Sequence, residues 1–233
     1  MATQGRISTG CVSLDKLLHG GYGRGEVTLV YGEAATGKTT TVIQTAVSTA
    51  QMGLKTLYID SDHSFTQQRF QQISAANSQG ISQLIMVFLP ETFSEQRQIV
   101  ESLESYITPS LGLVVVDSIS SLYRAEFSTS ESIFSLNRDL SRQVAYLDGL
   151  SSSHGLACVV TSQVHARLKP PAGDIEPVAR RTLFHFPRTI IRLRNTPKSN
   201  VKECVLERFA GSEASRASCL VALGEKGLAD VSA

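Results

Sequence analysis

The chain has 233 residues, of which 42% are hydrophobic, and its formal net charge is +1 at pH 7. This composition is ordinary for a globular protein and supplies enough apolar side chains for a sizeable core. The near-neutral balance excludes a polycation, so any nucleic-acid binding must come from a local basic patch.

The cysteines and the N-terminal residues indicate the cellular compartment of the protein. Cys11, Cys158, Cys204 and Cys219 form no CxxC pair, so their spacing indicates neither a zinc site nor a disulfide framework, which fits a reducing cytosol. The N-terminus lacks the apolar region of a secretory signal, and no run approaches the ~18 apolar residues of a membrane-spanning helix. We therefore expect a soluble, cytoplasmic protein without membrane contact.

Apolar runs alternate with helical patterns along most of the chain. The runs predict strands at 26–32, 55–60, 83–89, 111–118 and 155–163. Apolar residues at helical spacing predict helices at 39–52, from Ser64 onward, at 92–107 and at 132–152. An irregular segment rich in Pro, Arg and Gly, 165–187, precedes three further strands at 188–195, 202–209 and 218–231.

This order of elements predicts an α/β fold. Alternating strands and helices followed by terminal strands indicate a mostly parallel central sheet flanked by helices, with a C-terminal antiparallel β meander. The sequence contains no internal repeat and no low-complexity linker. We therefore predict a single domain over residues 1–233.

The segment GEAATGKT, residues 32–39, matches the phosphate-loop pattern G-x-x-x-x-G-K-[ST] between a predicted strand and a predicted helix. In such a loop the backbone amides and the helix dipole hold phosphate oxygens, the lysine reaches the β/γ-phosphates and the last hydroxyl binds Mg²⁺. The flanking elements disfavour the alternative of a chance glycine-rich turn. We predict that Mg²⁺ is bound by Thr39 and that ATP is bound by Gly32, Glu33, Ala34, Ala35, Thr36, Gly37, Lys38, Thr39 and Thr40.

Asp117 ends the apolar run LVVVD and is a second candidate Mg²⁺ ligand. An acidic residue at the carboxyl end of a buried strand beside a phosphate loop is the Walker-B position, which holds Mg²⁺. A buried strand that ends in Asp can also simply cap a loop. The neighbouring phosphate loop makes the metal role the better interpretation.

The stretch YIDSDHSF, residues 58–65, places Asp60, Asp62 and His63 directly after a predicted strand. A metal site is disfavoured, because one His beside two Asp at a strand end is not a full ligand set and the phosphate loop already organises Mg²⁺. Ser64 and Gln67 match an S-x-x-Q capping box for the next helix, so the cluster could also be polar loop.

Longer stretches of the sequence resemble a known family. The lead-in ISTGCVSLDKLLHGG, the segment DSISSLYRAEF and the strand end VVTSQV are similar to the RecA/RadA-type strand-exchange recombinases. The resemblance extends from Arg6 to Val231 and implies a RecA-like P-loop NTPase core. It is greatest to the archaeal RadB paralogues, because the chain starts at the ATPase core without the N-terminal helical domain or the Phe-x-x-Ala docking element. It also reads PVAR at 177–180, where the family has PVGG.

The resemblance implies catalytic roles for Asp62, Lys38 and Gln163. Asp62 aligns with the acidic residue, typically Glu, that polarises the attacking water. Asp is one methylene shorter, and a misplacement of about 1 Å can cost on the order of 100-fold in rate, so we expect slow hydrolysis. An ordinary loop residue remains the alternative for Asp62. Gln163 aligns with the γ-phosphate sensor that couples nucleotide state to DNA, although polar residues also commonly end buried strands.

Arg69 aligns with the arginine that stacks on adenine in this family, and an exposed helix arginine is an equal alternative. The basic segment that follows residue 165 aligns with the second DNA-binding loop, and the first loop follows Arg124. We predict DNA contacts by Arg124, Arg167, Lys169, Arg180 and Arg181.

Aromatic rings in the same segment admit two interpretations. Phe184 and Phe186 could stack on bases. Alternatively, both rings lie in the core and the arginines form a solvated face, with Arg192 and Arg194 on the outer side of a strand.

The sequence supports two main hypotheses of function and a third alternative. The first hypothesis is an ATP-binding, slowly hydrolysing DNA-binding protein of recombination and repair that acts as a mediator for a full-length recombinase, with single-stranded DNA preferred. The second is an active DNA-dependent ATPase that performs strand exchange itself. A RecA-type ATPase that acts without DNA is a third alternative. The short Asp62 side chain favours the first, and the sequence does not indicate the oligomeric state.

Overall fold

The structure is a computed structural model that describes residues 5–74, 78–127, 133–166, 175–177, 179–214 and 217–231. Its strands are β1 Arg6–Ile7, β2 Tyr22–Gly23, β3 Glu26–Gly32, β4 Lys55–Asp60, β5 Ile85–Phe88, β6 Leu111–Asp117, β7 Ala157–Ala166, β8 Ile175–Pro177, β9 Thr189–Asn195, β10 Val201–Phe209, β11 Ser212–Glu213, β12 Ser218–Gly224 and β13 Gly227–Asp230. Its helices are α1 Val12–Leu17, α2 Lys38–Gln51, α3 Gln67–Ser74, α4 Ser78–Ser82, α5 Phe93–Ser102, α6 Ser121–Phe127, α7 Ile133–His154 and α8 Arg180–Leu183, and a 3₁₀ turn, Leu103–Tyr106, follows α5.

One large sheet holds most of these strands, in the order β13-β12-β10-β9-β3-β7-β6-β4-β5. The strands from β9 to β5 pair in parallel, whereas β10, β12 and β13 pair antiparallel. This confirms the predicted RecA-like P-loop core with a C-terminal antiparallel meander. The central strands read as unbroken apolar runs because they are buried on both faces.

Helices cover both faces of the sheet, and successive residues of each strand serve opposite faces. In β6, Val114 and Val116 belong to the core cluster that contains residues of α5 and α7, whereas Leu113 and Val115 belong to the cluster that contains residues of α1 and α2. The two-residue side-chain period of a strand produces this division. Among the residues described, no helix is both long enough and apolar enough to cross a membrane.

The start of α3 differs from its prediction. The helix begins at Gln67, and the Oγ1 atom of Thr66 accepts a hydrogen bond from the Arg69 amide at 3.1 Å, as an N-cap does. The Ser64 amide instead donates to Asp60 Oδ1 at 3.0 Å, which keeps Ser64 in the preceding loop. The predicted S-x-x-Q capping box is therefore wrong.

Other boundaries depend on turn chemistry that the apolar pattern does not reveal. Segment 218–231 is a hairpin of two strands, β12 and β13, and Gly227 at its turn has a φ of 105°. The predicted helix 92–107 ends at Ser102 and continues as the 3₁₀ turn. Within the predicted irregular segment, β8 pairs antiparallel with the end of β7, and α8 forms a short helix.

Candidate nucleotide site

The predicted phosphate loop lies between β3 and α2, beside two neighbouring strands. Gly32 is in register with Gln163 of β7 on one side and with Leu193 of β9 on the other. A Cβ atom on Gly32 would lie 2.3 Å from the Leu193 carbonyl oxygen, so only glycine fits this point. Gly37, with a φ of 95°, precedes the first turn of α2. The loop thus joins the amino end of α2, where backbone amides and the helix dipole favour anions.

Lys38 is buried and lies at the mouth of this loop. Its Nζ atom donates hydrogen bonds to the carbonyl oxygens of Gly32 at 2.9 Å and Glu33 at 2.7 Å. Burial lowers the pKa of Lys38, and the charges of Asp117, Asp62 and Glu33 oppose that effect. The ammonium group is therefore surrounded by oxygen acceptors, at the place where a phosphate loop holds its lysine.

Asp117 ends β6 as a buried carboxylate held by hydroxyl groups. Its Oδ2 atom accepts from the Tyr58 hydroxyl at 2.9 Å, and its Oδ1 atom accepts from the Thr161 hydroxyl. The peptide bond from Asp117 to Ser118 is cis. Burial raises the pKa of Asp117, and the hydroxyls of Thr161, Thr39 and Tyr58 lower it.

Thr39 and Asp117 fit the predicted magnesium pair. A hydroxyl and a carboxylate oxygen are ligands that Mg²⁺ accepts, together with water and substrate phosphate. Among the described residues, no group of three or more His, Cys, Asp or Glu side chains could hold a metal ion. Thr39 and Asp117 would therefore hold Mg²⁺ only together with water or phosphate oxygens.

Asp60 and Asp62, the two aspartates at the end of β4 and in the loop after it, differ in burial and in their contacts. The buried Asp60 carboxylate accepts hydrogen bonds from the amides of Ser64 at 3.0 Å and Phe65 at 2.8 Å, so it shapes the loop. Asp62 is exposed, and its amide donates to the Asp117 carbonyl oxygen at 3.3 Å. Its charge also raises the pKa of both Lys38 and Asp117. Asp62 thus lies beside the phosphate loop, where the resemblance expects the catalytic base.

Gln163 and Arg124 make a contact that sequence reasoning did not anticipate. The Arg124 guanidinium donates from Nη1 to Gln163 Oε1 at 3.0 Å. Gln163 lies on β7 beside Gly32, and Arg124 lies on α6. The predicted phosphate sensor is therefore bonded to one of the predicted DNA contacts.

Arg69 connects the start of α2 with the C-terminal hairpin. Its Nη2 atom donates to Thr40 Oγ1 and to the Gly224 carbonyl oxygen, both at 3.1 Å, and Nη1 donates to the Glu225 carbonyl oxygen at 2.7 Å. These bonds place the guanidinium next to the predicted nucleotide-binding residues. They also show that Arg69 is not a free surface arginine.

Gln44 of α2 is a buried connector that the sequence does not reveal. Its Nε2 atom donates to the carbonyl oxygens of Gly10 at 2.7 Å and Leu228 at 3.0 Å, and its Oε1 atom accepts from the Leu228 amide at 2.6 Å. Its partners lie far from it in the chain, so no local pattern signals it. Tyr58 and Thr161 were missed for a related reason, since each lies within an apolar strand.

Three of the five predicted DNA-binding residues lie within the described residues: Arg124 on α6, and Arg180 and Arg181 on α8. Arg180 and Arg181 are exposed on α8, and the Arg180 guanidinium lies 4.7 Å from the Phe184 ring centre. Arg167 and Lys169 lie outside the described residues. Only part of the predicted basic surface can therefore be located.

The aromatic and outer-strand residues fit the core and solvated-face alternatives. Phe184 and Phe186 are half-buried against the core cluster of α5 and α7. Arg194 is exposed, and its Nη1 atom lies 3.8 Å from Glu203 Oε2 on the neighbouring strand. These side chains serve packing and strand pairing in the structure.

A family model, individual relatives and a solved structure all indicate the same kind of protein. The family model described as Rad51 matches residues 3–231. A DNA repair and recombination protein RadB from Thermococcus gammatolerans is 36% identical over 230 residues, covering 97% of this chain and 99% of that protein. The protein of the same name from Methanococcoides burtonii is 34% identical, covering 82% of this chain and 84% of that protein. A crystal structure of the RadB recombinase has a TM-score of 0.83 and 34% identity, covering 97% of this chain and 100% of that chain.

Proposed function

The chain belongs to the Rad51 family, and on that basis we propose that it is an ATP-binding, slowly hydrolysing DNA-binding protein of recombination and repair that assists a full-length recombinase. The names of its relatives support the recombination and repair role. The observation that carries the enzymatic part is the juxtaposition of three groups: the Asp62 amide donates to the Asp117 carbonyl oxygen at 3.3 Å, and the charges of both aspartates raise the pKa of Lys38 against the effect of burial.

In this proposal the loop amides and Lys38 bind the ATP phosphates, and Thr39 and Asp117 hold Mg²⁺. When bound there, the ion would supply positive charge that stabilises the negatively charged phosphates. Asp62 accepts the proton of the attacking water and fixes its orientation. Because its side chain is one methylene shorter than Glu, we expect the orientation to be imperfect and hydrolysis slow.

A second candidate is an active recombinase that couples ATP hydrolysis to strand exchange. The observation that favours it is that the residues predicted for phosphate binding, metal binding and phosphate sensing lie together in one site. The two candidates differ in hydrolysis rate and in the effect of DNA, so kinetics can separate them.

The test is Mg²⁺-dependent ATP hydrolysis with and without single-stranded DNA, for the parent, Asp62→Glu and Lys38→Ala. We expect a low parent rate, a several-fold higher rate in Asp62→Glu, and no activity in Lys38→Ala. An unchanged rate in Asp62→Glu together with strong DNA stimulation of the parent would favour the active recombinase. Equal rates in the parent and Lys38→Ala would refute ATP hydrolysis at this loop.

DNA binding is tested by replacing predicted contact arginines, with another exposed arginine of the same chain as the control. Replacing Arg180 and Arg181 by Gln should weaken binding and reduce the slope of log K against log salt by roughly 0.7 for each lost phosphate contact with single strands. Arg194→Gln changes an exposed arginine that pairs with Glu203, so it should leave the slope unchanged. Binding without salt dependence would contradict a phosphate-contact surface.

A further inference from the structure

A buried row of hydrogen-bonded polar side chains extends from the loop that contains Asp62 to the long helix α7. The Ser61 hydroxyl donates to Gln96 Oε1 at 2.8 Å, and Gln96 Nε2 donates to Gln143 Oε1 at 2.8 Å. Gln96 also donates to the Ile119 carbonyl oxygen at 3.3 Å. Gln96 is 0% exposed, Gln143 is 1% exposed and Ser61 is 3% exposed. The three residues belong to the β4–α3 loop, α5 and α7.

Ser61 is held by its backbone as well as by its hydroxyl. Its amide donates to the Asp117 carbonyl oxygen at 2.8 Å, and its own carbonyl oxygen accepts from the Ser121 hydroxyl at 3.2 Å. The next residue, Asp62, has an exposed side chain and a longer amide bond, 3.3 Å, to the same Asp117 oxygen. The backbone from which the Asp62 side chain projects is therefore held mainly through Ser61.

Gln96 and Gln143 are polar residues at buried helix positions that are usually apolar. Gln96 occupies the buried face of α5 between Phe93 and Val100, where the helical pattern calls for an apolar residue. Among the described residues, the Nε2 atom of Gln143 has no hydrogen-bond partner although it is buried. A buried donor without a partner lowers stability, so an apolar pair here would stabilise the fold better than this polar one.

We propose that Gln96 is a positioning residue for ATP hydrolysis, because it fixes Ser61 and thereby the Asp62 carboxylate. The proposal rests on the proposed function, in which Asp62 orients the attacking water. A positioned catalytic group must be held within about 0.5 Å of its productive place, and buried hydrogen bonds from supporting residues provide that restraint. Gln143 continues the same row of hydrogen bonds to α7.

The first test uses Gln96→Leu, Ser61→Ala and the double variant in steady-state ATP hydrolysis. We expect each single variant to lower kcat about 10-fold, since displacements below 1 Å already cost substantial rate, while nucleotide affinity stays within about twofold. The double variant should lose no more than either single variant, because both changes break the same contact. Val144→Ala on α7, a core change outside this row of hydrogen bonds, should lower thermal stability without this kcat effect.

A second readout does not depend on activity. In nucleotide-free protein, Gln96→Leu should speed amide hydrogen exchange in the peptide that contains Ser61 and Asp62, and exchange in β7 should stay unchanged. If the parent does not hydrolyse ATP, the proposed function fails, and this exchange measurement still decides whether Gln96 holds the loop. Unchanged exchange, multiplicative kcat losses in the double variant, or an equal kcat loss in Val144→Ala would each overturn the proposal.

Discussion

The hydrogen bond from the Tyr58 hydroxyl to Asp117 can be removed without other changes by the substitution Tyr58→Phe. That variant measures what this bond contributes to stability. The hydroxyl donates to Asp117 Oδ2 at 2.9 Å, and both side chains are at most 1% exposed. Burial, together with the charge of Asp117, raises the pKa of Tyr58, so the hydroxyl remains a donor at physiological pH. Phenylalanine keeps the ring, whose centre lies 4.8 Å from that of Phe65, and removes only the donor.

A buried hydrogen bond to a charged group contributes about 1.5–3 kcal/mol, so we expect Tyr58→Phe to lower the free energy of unfolding by about 2 kcal/mol. For a chain of this length that loss corresponds to roughly 4–8 °C in Tm. The Tyr58 hydroxyl favours the ionised form of Asp117, so its removal should raise the pKa of Asp117 further.

Thermal unfolding as a function of pH checks the reasoning. The pKa of Asp117 lies above its ordinary value of 3.8, because burial raises it. As the pH falls through that raised pKa, Asp117 becomes protonated and the parent also loses the charge-assisted bond, so the Tm difference should shrink. Tyr146→Phe removes a hydroxyl that donates to the Glu101 carbonyl at 3.0 Å in an exposed place, and should change stability by less than about 0.5 kcal/mol. A Tyr58→Phe variant that is as stable as the parent, or whose loss is independent of pH, would refute this view.

Two further substitutions test the same site. Gly32→Ala would place a Cβ atom 2.3 Å from the Leu193 carbonyl oxygen and 3.0 Å from Thr36 Oγ1, so we expect a loss of about 1–3 kcal/mol in unfolding free energy and at least 10-fold weaker nucleotide binding. Gly149→Ala, which meets no atom within 4 Å on α7, should instead stabilise by about 0.5–1 kcal/mol, and thermal unfolding with nucleotide titration compares the two variants. Asp117→Asn should raise Tm at pH 7, because burial raises the pKa of Asp117 and the ionised form therefore costs stability above that pKa. Its advantage should vanish on acidification, and Mg²⁺-dependent hydrolysis should be lost; a lower Tm at pH 7 would contradict this sign.

The central strands could be predicted closely because their apolar runs report burial on both faces. The bounds of β3 and β4 agree with the sequence pattern to the residue. Helix starts were less predictable, since Ser64 and Thr66 both have the hydroxyl of an N-cap and only Asp60 decides between them. Asp60 takes the Ser64 amide, and that choice depends on three-dimensional geometry rather than on spacing.

The phosphate loop could be located from sequence because its chemistry is encoded in adjacent residues. The hydrogen bonds that hold the other side chains of the site could not be predicted, since they join residues that are distant in the chain. Tyr58 and Asp117 are 59 positions apart, and Arg124 and Gln163 are 39 apart. The sequence marks Asp117, Gln163 and Arg124 as candidates one by one, but the contacts between partners arise only from the tertiary fold: β4 pairs with β6, and α6 lies near the end of β7.

The bonds of Gln44 have a consequence for how the protein is assembled during synthesis. Gln44 lies on the helix that follows the phosphate loop, yet two of its hydrogen bonds are to Leu228, 184 positions later. Arg69 depends in the same way on Gly224 and Glu225. A ribosome must therefore complete the hairpin before the helix of the phosphate loop gains all its contacts. Any form of this chain cut short before that hairpin would carry the complete phosphate-loop sequence without the bonds that brace it.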